Sequence, residues 1–193
     1  KVIAITGSYG KTSTKEFLTT ILSKKFKALS TKEHQNAEIG IANCILQDLK
    51  PSHQYFIAEV GAYNKGKIKE VCSMLKPKIG IVTGVNEQHL SLFGSMENLL
   101  SAEGGGELAE CLPNSGLLVV NGENKYCVDL FKKTNKQKKL YALSKSNVNA
   151  DVWADEINVY KNYLSFLVLD RSGNMANIEA KVLGKQNVQN LLG

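Results

Sequence analysis

Short apolar runs alternate with longer amphipathic segments through the first 150 residues of the chain. The runs are rich in branched side chains and have the length that is typical of buried strands. They lie at 2–5, 55–60, 79–83, 117–121 and 139–143, and helical spacing of apolar residues marks 11–24, 39–49, 68–75, 96–111 and 125–134. Strands that alternate with helices predict an α/β fold, with a mostly parallel sheet flanked by helices on both faces.

A different pattern begins at residue 151. Three segments, at 153–160, 163–170 and 176–182, alternate apolar and polar residues and are separated by turn residues. This alternation predicts a small antiparallel β meander over 151–183, appended to an α/β core at 1–150. The last residues, 184–193, have the pattern of the first turns of a helix. The chain begins inside a predicted strand and without Met, so we expect one domain over 1–193 from a longer protein.

Composition narrows the class of protein. The chain has 193 residues, of which 43% are hydrophobic, which suits one sizeable core. No apolar run approaches the length of a membrane span, and no signal peptide is visible. The four cysteines have no metal-binding spacing, which favours reduced thiols and a cytoplasmic location. The net charge is +6, but aromatic residues are not interleaved with the lysines, so no nucleic-acid partner is expected.

A glycine-containing loop joins the first predicted strand to the first predicted helix. It reads T-G-S-Y-G-K-T over 6–12, and this order of strand, loop and helix is what a phosphate-binding loop needs. Lys11 can reach terminal phosphates, and the Thr12 hydroxyl can bind Mg²⁺. Ile5 stands where the strict pattern has its first glycine, yet nucleotide binding is favoured over a chance glycine turn. The predicted nucleotide-binding residues are Gly7, Ser8, Tyr9, Gly10, Lys11, Thr12 and Ser13.

The variant loop T-G-x-x-G-K-T-S-T resembles the ATP loop of the Mur ligases, ADP-forming amide-bond ligases of cell-wall synthesis. Further motifs agree in order and spacing, namely N-A-E-I-G at 36–40, A-E-V-G-A at 58–62, T-G-V-N-E-Q-H-L with F-G over 83–94, V-N at 120–121 and G-K-Q-N-V-Q-N at 184–190. The N-x-E-I-G segment is most like the branch that adds D-alanyl-D-alanine. The resemblance covers essentially the whole chain and implies a P-loop-type central ATP-binding domain, without the N-terminal UDP-substrate domain and the C-terminal domain.

The resemblance implies an activity with named substrates. The expected reaction adds D-alanyl-D-alanine to a UDP-N-acetylmuramoyl-tripeptide, through an acyl phosphate made with ATP and two Mg²⁺ ions. UDP-muramyl-peptide and D-alanyl-D-alanine are thus the expected partners, the enzyme is expected to be a monomer, and the domain alone is expected to be inactive. The alternatives are another Mur or folylpolyglutamate-type ligase, or a nucleotide-binding module that has lost catalysis.

The resemblance also assigns roles to individual residues. It implies that Thr12 and Glu59 hold the first Mg²⁺ and that His89 is a ligand of the second. Without it, Glu59 would be interpreted as a solvated carboxylate and His89 as a hydrogen-bonded polar residue. The resemblance further implies that Asn36 and Glu38 line the muramyl-peptide side, although Asn36 could simply cap a helix, and that Asn121 and Asn187 meet adenine or ribose, although each could cap a turn. His34, beside the Asn36 loop, could touch substrate.

One position departs from the family pattern. Mur ligases carry a carbamylated lysine nine residues after the F-G glycine, and here that position is Glu103. No lysine occurs between Lys78 and Lys125, so carbamylation is not expected in this segment. Glu103 offers a carboxylate to the second Mg²⁺, but from a shorter side chain; the alternative is a carboxylate on the helix surface. The glycine run at 104–106 could break the helix and compensate for the shorter reach. Gln186 likewise replaces a histidine of the family pattern.

Overall fold

One continuous sheet has the strand order β2-β3-β1-β4-β5-β6-β7-β8-β9, in which the first seven strands are mutually parallel and β8 and β9 each pair antiparallel with the strand before them. The computed structural model describes residues 1–32, 35–145 and 148–193. The strands are β1 Val2–Thr6, β2 Ala28–Ser30, β3 Tyr55–Glu59, β4 Ile79–Val82, β5 Leu117–Asn121, β6 Gln137–Ala142, β7 Val152–Val159, β8 Leu164–Asp170 and β9 Met175–Ala180. The predicted α/β class and the mostly parallel sheet are confirmed.

Helices cover both faces of the parallel part of the sheet. They are α1 Lys11–Ser23, α2 Glu38–Asp48, α3 Lys67–Leu75, α4 Leu90–Phe93, α5 Met96–Ser101, α6 Gly106–Cys111, α7 Lys125–Lys133 and α8 Gln186–Leu192, with a 3₁₀ turn at Glu87–His89. Residues of β1 alternate between the two faces, as strand geometry requires. Ile3 and Ile5 pack with Leu18 and Leu22 of α1, whereas Ala4 belongs to the larger core on the opposite face. No helix among the described residues is long and apolar enough to cross a membrane.

The sheet differs in two ways from the sequence expectation. The β7–β8 and β8–β9 pairs are antiparallel as predicted, but β7 also pairs with β6 in parallel, through Tyr141 with Val152 and Ala142 with Trp153. The meander is therefore a continuation of the central sheet. Strand β2 was not predicted, because it has only three half-buried residues and gives too short a periodic signal.

The predicted helix at 96–111 is wrong as one continuous element. It is broken over 102–105 into α5 and α6. Gly105 has φ +85°, and a Cβ there would lie 2.4 Å from Val82 Cγ2, so both the backbone conformation and the close packing on β4 require glycine. The break turns Glu103 inward, and its exposed fraction is only 4%.

A second buried carboxylate anchors the segment after this break. Glu107 accepts hydrogen bonds from the backbone N–H groups of Gly66, 2.6 Å away, and Lys69, 2.9 Å away, at the start of α3. These N–H groups have no partner within their own helix, and a carboxylate also interacts favourably with the positive end of the helix dipole. Glu107 thereby fixes α6 against α3 and, through α6, the position of the preceding break.

The four cysteines are free thiols. Burial raises the pKa of Cys72 and of Cys127 to about 12. Thiolates are the reactive form of cysteine, so these two side chains are poor nucleophiles at neutral pH. Their place in the core is consistent with packing.

Replacing Glu107 with alanine is expected to destabilise the fold by about 2 to 3 kcal/mol, because two helix-end N–H groups lose a charged acceptor. Urea unfolding followed by circular dichroism measures this. Glu110→Ala, an exposed position on the same helix, is the matched control and should change stability by less than about 0.5 kcal/mol. Equal stability of the two variants would contradict the anchoring role of Glu107.

Candidate functional site

The predicted site residues come from loops at one edge of the sheet. Strands β3, β1 and β4 are parallel neighbours, so their carboxyl ends meet at this edge. Ligands of open parallel sheets bind in this position. The loop after β1 carries Ser8 and Lys11, β3 ends at Glu59, and the segment after β4 leads to His89.

The loop at 6–12 is fixed against its neighbours by hydrogen bonds. Ser8 N–H donates to the Gly84 carbonyl at 2.7 Å, and Lys11 Nζ donates to the Gly7 carbonyl at 2.6 Å. Thr83 Oγ1 hydrogen-bonds to the carbonyl of Tyr9. Helix α1 begins at Lys11, so its positive end faces the loop. This geometry suits an anion such as a phosphate, with the Lys11 ammonium already beside the loop.

Thr12 and Glu59 form the first predicted metal pair. Thr12 Oγ1 donates to Glu59 Oε2 at 2.9 Å, and Asn36 Nδ2 lies 3.5 Å from Glu59 Oε1. Glu59 as a whole residue is 6% exposed, and its backbone N–H donates to Thr31 Oγ1 at 3.0 Å. Because the Asn36 carbonyl also accepts from Gly61 N–H, the Asn36 loop is held against the end of β3.

Glu103 and His89 form the second pair. His89 Nδ1 lies 3.0 and 3.1 Å from the two oxygens of Glu103, and Ser8 Oγ donates to Glu103 Oε2 at 2.6 Å. The structure thus places Glu103, which stands at the carbamylated-lysine position of the family pattern, next to His89, the predicted metal ligand. The interpretation of Glu103 as a solvated surface carboxylate does not fit its burial.

These side chains are compatible with a Mg²⁺ ion that also binds phosphate or water, but not with a metal site made of protein ligands alone. Among the described residues, no three His, Cys, Asp or Glu side chains form a group that could hold a metal ion. Mg²⁺ is usually bound by one or two carboxylates and completes its shell with phosphate oxygens and water. The hydroxyl–carboxylate pair Thr12–Glu59 fits this coordination preference, and so does Glu103 beside the imidazole of His89.

The residues predicted on the muramyl-peptide side occupy the start of α2. Glu38 is the first residue of that helix and lies 3.3 Å from Lys67 Nζ. Hydrogen bonding from the backbone of the helix start, and then Lys67, holds the pKa of Glu38 below its ordinary value. Glu38 is therefore an ionised carboxylate near Asn36. His34 lies outside the described residues.

Asn121 is buried and its amide group is fully used within the chain. Its Nδ2 donates to the Thr83 carbonyl at 2.8 Å and to Gln189 Oε1 at 3.2 Å, and its Oδ1 accepts from Glu123 N–H. In this arrangement Asn121 connects β4, β5 and α8, whereas its predicted contact with a nucleotide stays a prediction.

Helix α8 also brings an asparagine to the loop that sequence reasoning missed. A Cβ on Gly10, which has φ +77°, would lie 2.6 Å from Asn190 Oδ1, so the two residues are in direct contact. Asn190 Nδ2 in turn donates to Asn187 Oδ1 at 3.1 Å, and Asn187 Nδ2 donates to the Leu183 carbonyl. The signal was present as the second asparagine of the Q-N-V-Q-N segment. Asn187 was chosen instead, and its nucleotide contact stays a prediction.

Tyr9 occupies the tip of the loop beside a second group of polar residues. Its hydroxyl accepts from Asn124 Nδ2 at 3.3 Å, and its burial raises the pKa of the phenol. Asn124 also caps α7 through Cys127 N–H and donates to the Val85 carbonyl. The loop tip is thus connected to the segments that follow β4 and β5.

Comparison with known proteins gives concordant matches. The family profile of the Mur ligase middle domain matches residues 5–193. The chain is 30% identical over 192 residues to the UDP-N-acetylmuramoyl-tripeptide–D-alanyl-D-alanine ligase of Escherichia coli K12, covering 100% of this chain and 41% of that protein. A crystal structure of MurF from Acinetobacter baumannii has a TM-score of 0.87 at 28% identity, covering 98% of this chain and 40% of that one. The chain spans about two fifths of the length of these relatives.

A more distant structure agrees in fold. MurF ligase from Thermotoga maritima, in complex with ADP, has a TM-score of 0.83 at 21% identity. The match covers 100% of this chain and 43% of that chain.

Replacing Asn121 with alanine is expected to destabilise the chain by about 2 kcal/mol, because a buried carbonyl and a buried amide lose their partners. Urea unfolding measures the effect. Gln186→Ala, at an exposed position of α8, is the control and should cost less than about 0.5 kcal/mol. A stability change near zero for Asn121→Ala would show that the buried hydrogen bonds do not hold α8.

Proposed function

Because the chain belongs to the Mur ligase family through the middle domain of that family, we propose that it is the ATP-binding part of an ADP-forming ligase of peptidoglycan-precursor synthesis. The proposed full reaction joins D-alanyl-D-alanine to a UDP-N-acetylmuramoyl-tripeptide, which is the activity named for the similar proteins. The flanking domains of such a ligase would supply most of the substrate contacts. We therefore propose that residues 1–193 alone are inactive, that the enzyme is monomeric, and that it works in the cytoplasm.

One observation carries this proposal: the phosphate-type loop contacts both buried carboxylates of the site. Ser8 reaches Glu103, and Thr12 reaches Glu59. A ligase that forms an acyl phosphate must bring ATP and a substrate carboxylate together despite their negative charges. A loop with carboxylates on both sides offers two places for cations where the γ-phosphate would lie.

In the proposed reaction, an oxygen of the substrate carboxylate attacks the γ-phosphorus and ADP leaves. The amine then attacks the acyl carbon, and inorganic phosphate leaves as the amide forms. Lys11 and the amino end of α1 would bind the phosphates and offset the charge that develops during transfer. Bound Mg²⁺ would supply further positive charge to the phosphate oxygens, held by Thr12 and Glu59 at one place and by Glu103 and His89 at the other.

Glu103 is proposed to do what the carbamylated lysine does in other Mur ligases. The inward turn at the α5–α6 break and the short contacts to Ser8 and His89 support this role. We propose that the inward turn at the break compensates for the shorter side chain of glutamate compared with lysine. The competing function, a nucleotide-binding module without catalysis, would follow if the full-length protein bound ATP but released no phosphate with the candidate substrates.

On the substrate side, Asn36 and Glu38 are proposed to contact the muramyl peptide from the start of α2. Asn36 lies beside Glu59, and Glu38 follows it at the first position of α2, which supports this assignment. On the nucleotide side, Asn187 and Asn121 are proposed as in the sequence analysis, and Asn190 is added because it touches Gly10 of the loop. Asn190 is the best placed of the three.

The first test is nucleotide binding to the chain. Lys11→Ala should weaken Mg·ATP affinity about ten- to a hundred-fold, because a charge-assisted contact to phosphate is worth about 1.5 to 3 kcal/mol. Isothermal titration calorimetry on the wild type and the variant measures it. Lys24→Ala, an exposed lysine just after α1, should bind as the wild type does. Unchanged affinity in Lys11→Ala would contradict the phosphate-loop assignment.

The second test concerns Glu103 in the ligase with its flanking domains. Glu103→Gln keeps the shape and removes the charge, so it should lower turnover at limiting Mg²⁺ at least tenfold while changing ATP affinity less. Turnover is measured against Mg²⁺ concentration, with and without added bicarbonate, and the wild type should not respond to bicarbonate because its carboxylate is encoded.

Glu97→Gln, with a highly exposed side chain on α5, is the matched control for this test. Its Mg²⁺ curve should coincide with that of the wild type. If the Glu103→Gln curve coincides as well, Glu103 is not a metal ligand and the second cation needs another one.

A further inference from the structure

Lys15 is a fully buried cation one turn along α1 from Lys11. Its side chain has no solvent exposure, and its Nζ lies 3.1 Å from Glu16 Oε1 and 3.7 Å from Glu59 Oε2. Within the described part of the chain, this Nζ has no hydrogen-bond partner of acceptable geometry. Sequence reasoning did not single out Lys15, because a lysine on an amphipathic helix normally faces water.

The burial of this ammonium needs a counter-charge. An isolated charge is strongly disfavoured inside a protein, and an apolar side chain of similar size would fill the space without that cost. The Glu16 side chain is 58% exposed, so water screens its charge. The Glu59 side chain is 8% exposed, which makes it the buried partner of Lys15.

The same carboxylate oxygen serves two purposes. Glu59 Oε2 accepts from Thr12 Oγ1 at 2.9 Å and faces Lys15 Nζ at 3.7 Å. A divalent cation held by Thr12 and Glu59 would therefore sit near an ammonium that it repels. Without nucleotide, the single Glu59 carboxylate would face the positive charges of both the cation and Lys15, whereas the negative phosphates of ATP would offset that excess.

We propose that Lys15 neutralises Glu59 so that the Thr12–Glu59 pair binds a divalent cation only together with a nucleotide. This inference rests on the proposed function, since it takes the pair to be a metal site beside bound ATP. Lys15 is a positioning and charge-balancing residue here, and it touches neither substrate nor metal. Its effect is a coupling free energy between two ligands, which is reciprocal by linkage.

Mn²⁺ binding followed by electron paramagnetic resonance tests the proposal without any turnover. The chain is titrated with Mn²⁺ alone and with ADP present, for the wild type, Lys15→Met, Lys15→Arg and Lys24→Met. Lys15→Met should bind Mn²⁺ at least tenfold more tightly than the wild type in the absence of ADP. The gain in Mn²⁺ affinity on adding ADP should shrink by the same factor.

The other variants separate charge from packing. Lys15→Arg keeps the positive charge in a different shape, so its Mn²⁺ affinity should stay near that of the wild type. Lys24→Met removes an exposed lysine and should have no effect. Unchanged or weaker Mn²⁺ binding by Lys15→Met without ADP would overturn the proposal. A wild type that binds no ADP would instead overturn the proposed function.

A second measurement addresses the ion pair itself and does not require Lys15→Met to bind ligands. Urea unfolding of Glu59→Gln, Lys15→Met and the double variant forms a double-mutant cycle. The unfolding equilibrium constant of the double variant should be at least tenfold smaller than the value expected if the two single effects were additive. The exposed pair Lys67 and Glu70 is the control and should couple less than threefold. Additive effects at Lys15 and Glu59, or a single variant too unstable to fold whose double variant is no more stable, would overturn the pairing.

Discussion

Two short hydrogen bonds, from Ser8 to Glu103 and from Thr12 to Glu59, organise the whole edge of the sheet. Each joins the loop after β1 to a carboxylate that is almost completely buried. A buried carboxylate needs donors, and the loop supplies one hydroxyl to each carboxylate. The conformation of the loop and the positions of the two carboxylates therefore depend on each other. A change that moves the loop leaves two buried charges with fewer partners.

This constraint explains where the fold departs from regular geometry. A continuous helix over 96–111 would have offered no inward turn at Glu103, and the break at 102–105 provides it. Gly105 lets the backbone pass close to Val82 of β4, while Glu107 fixes the next helix to the start of α3. The irregular segment is thus held on both sides, by packing against a central strand and by a buried carboxylate. Such irregularity is common where a site has to be assembled.

The elements that could be predicted from the sequence are those with a regular hydrophobic pattern or a recognisable loop motif. Five parallel strands, the longer helices and the loop follow from hydrophobic period and from glycine and lysine spacing. The three-residue strand β2 does not, because a short edge strand gives little periodic signal. The glycine run at 104–106 indicated that the helix could break, but not where the two helices would end or which way Glu103 would turn.

The polar contacts of the site were the least predictable feature. Glu59, His89 and Glu103 were found through motif resemblance, and periodicity alone gave no reason to choose them. Asn190 and Lys15 were missed because their importance comes from contacts distant in sequence, with Gly10 and Glu59. Buried charge is a tertiary property. The sequence alone does not distinguish a helical lysine that faces water from one that faces a buried carboxylate.

The contact between Asn190 and Gly10 has a mechanical consequence. Helix α8 meets the loop at Gly10 and reaches the sheet through the hydrogen bond between Gln189 and Asn121. A side chain at Gly10 would have no room on this side of the loop, because Asn190 Oδ1 lies where its Cβ would be. Because the atom in contact is the end of a side chain, a shift of α8 toward the loop by a few tenths of an ångström first displaces the Asn190 amide. Helix α8 thus limits the space beside Gly10 of the phosphate-type loop through the Asn190 side chain.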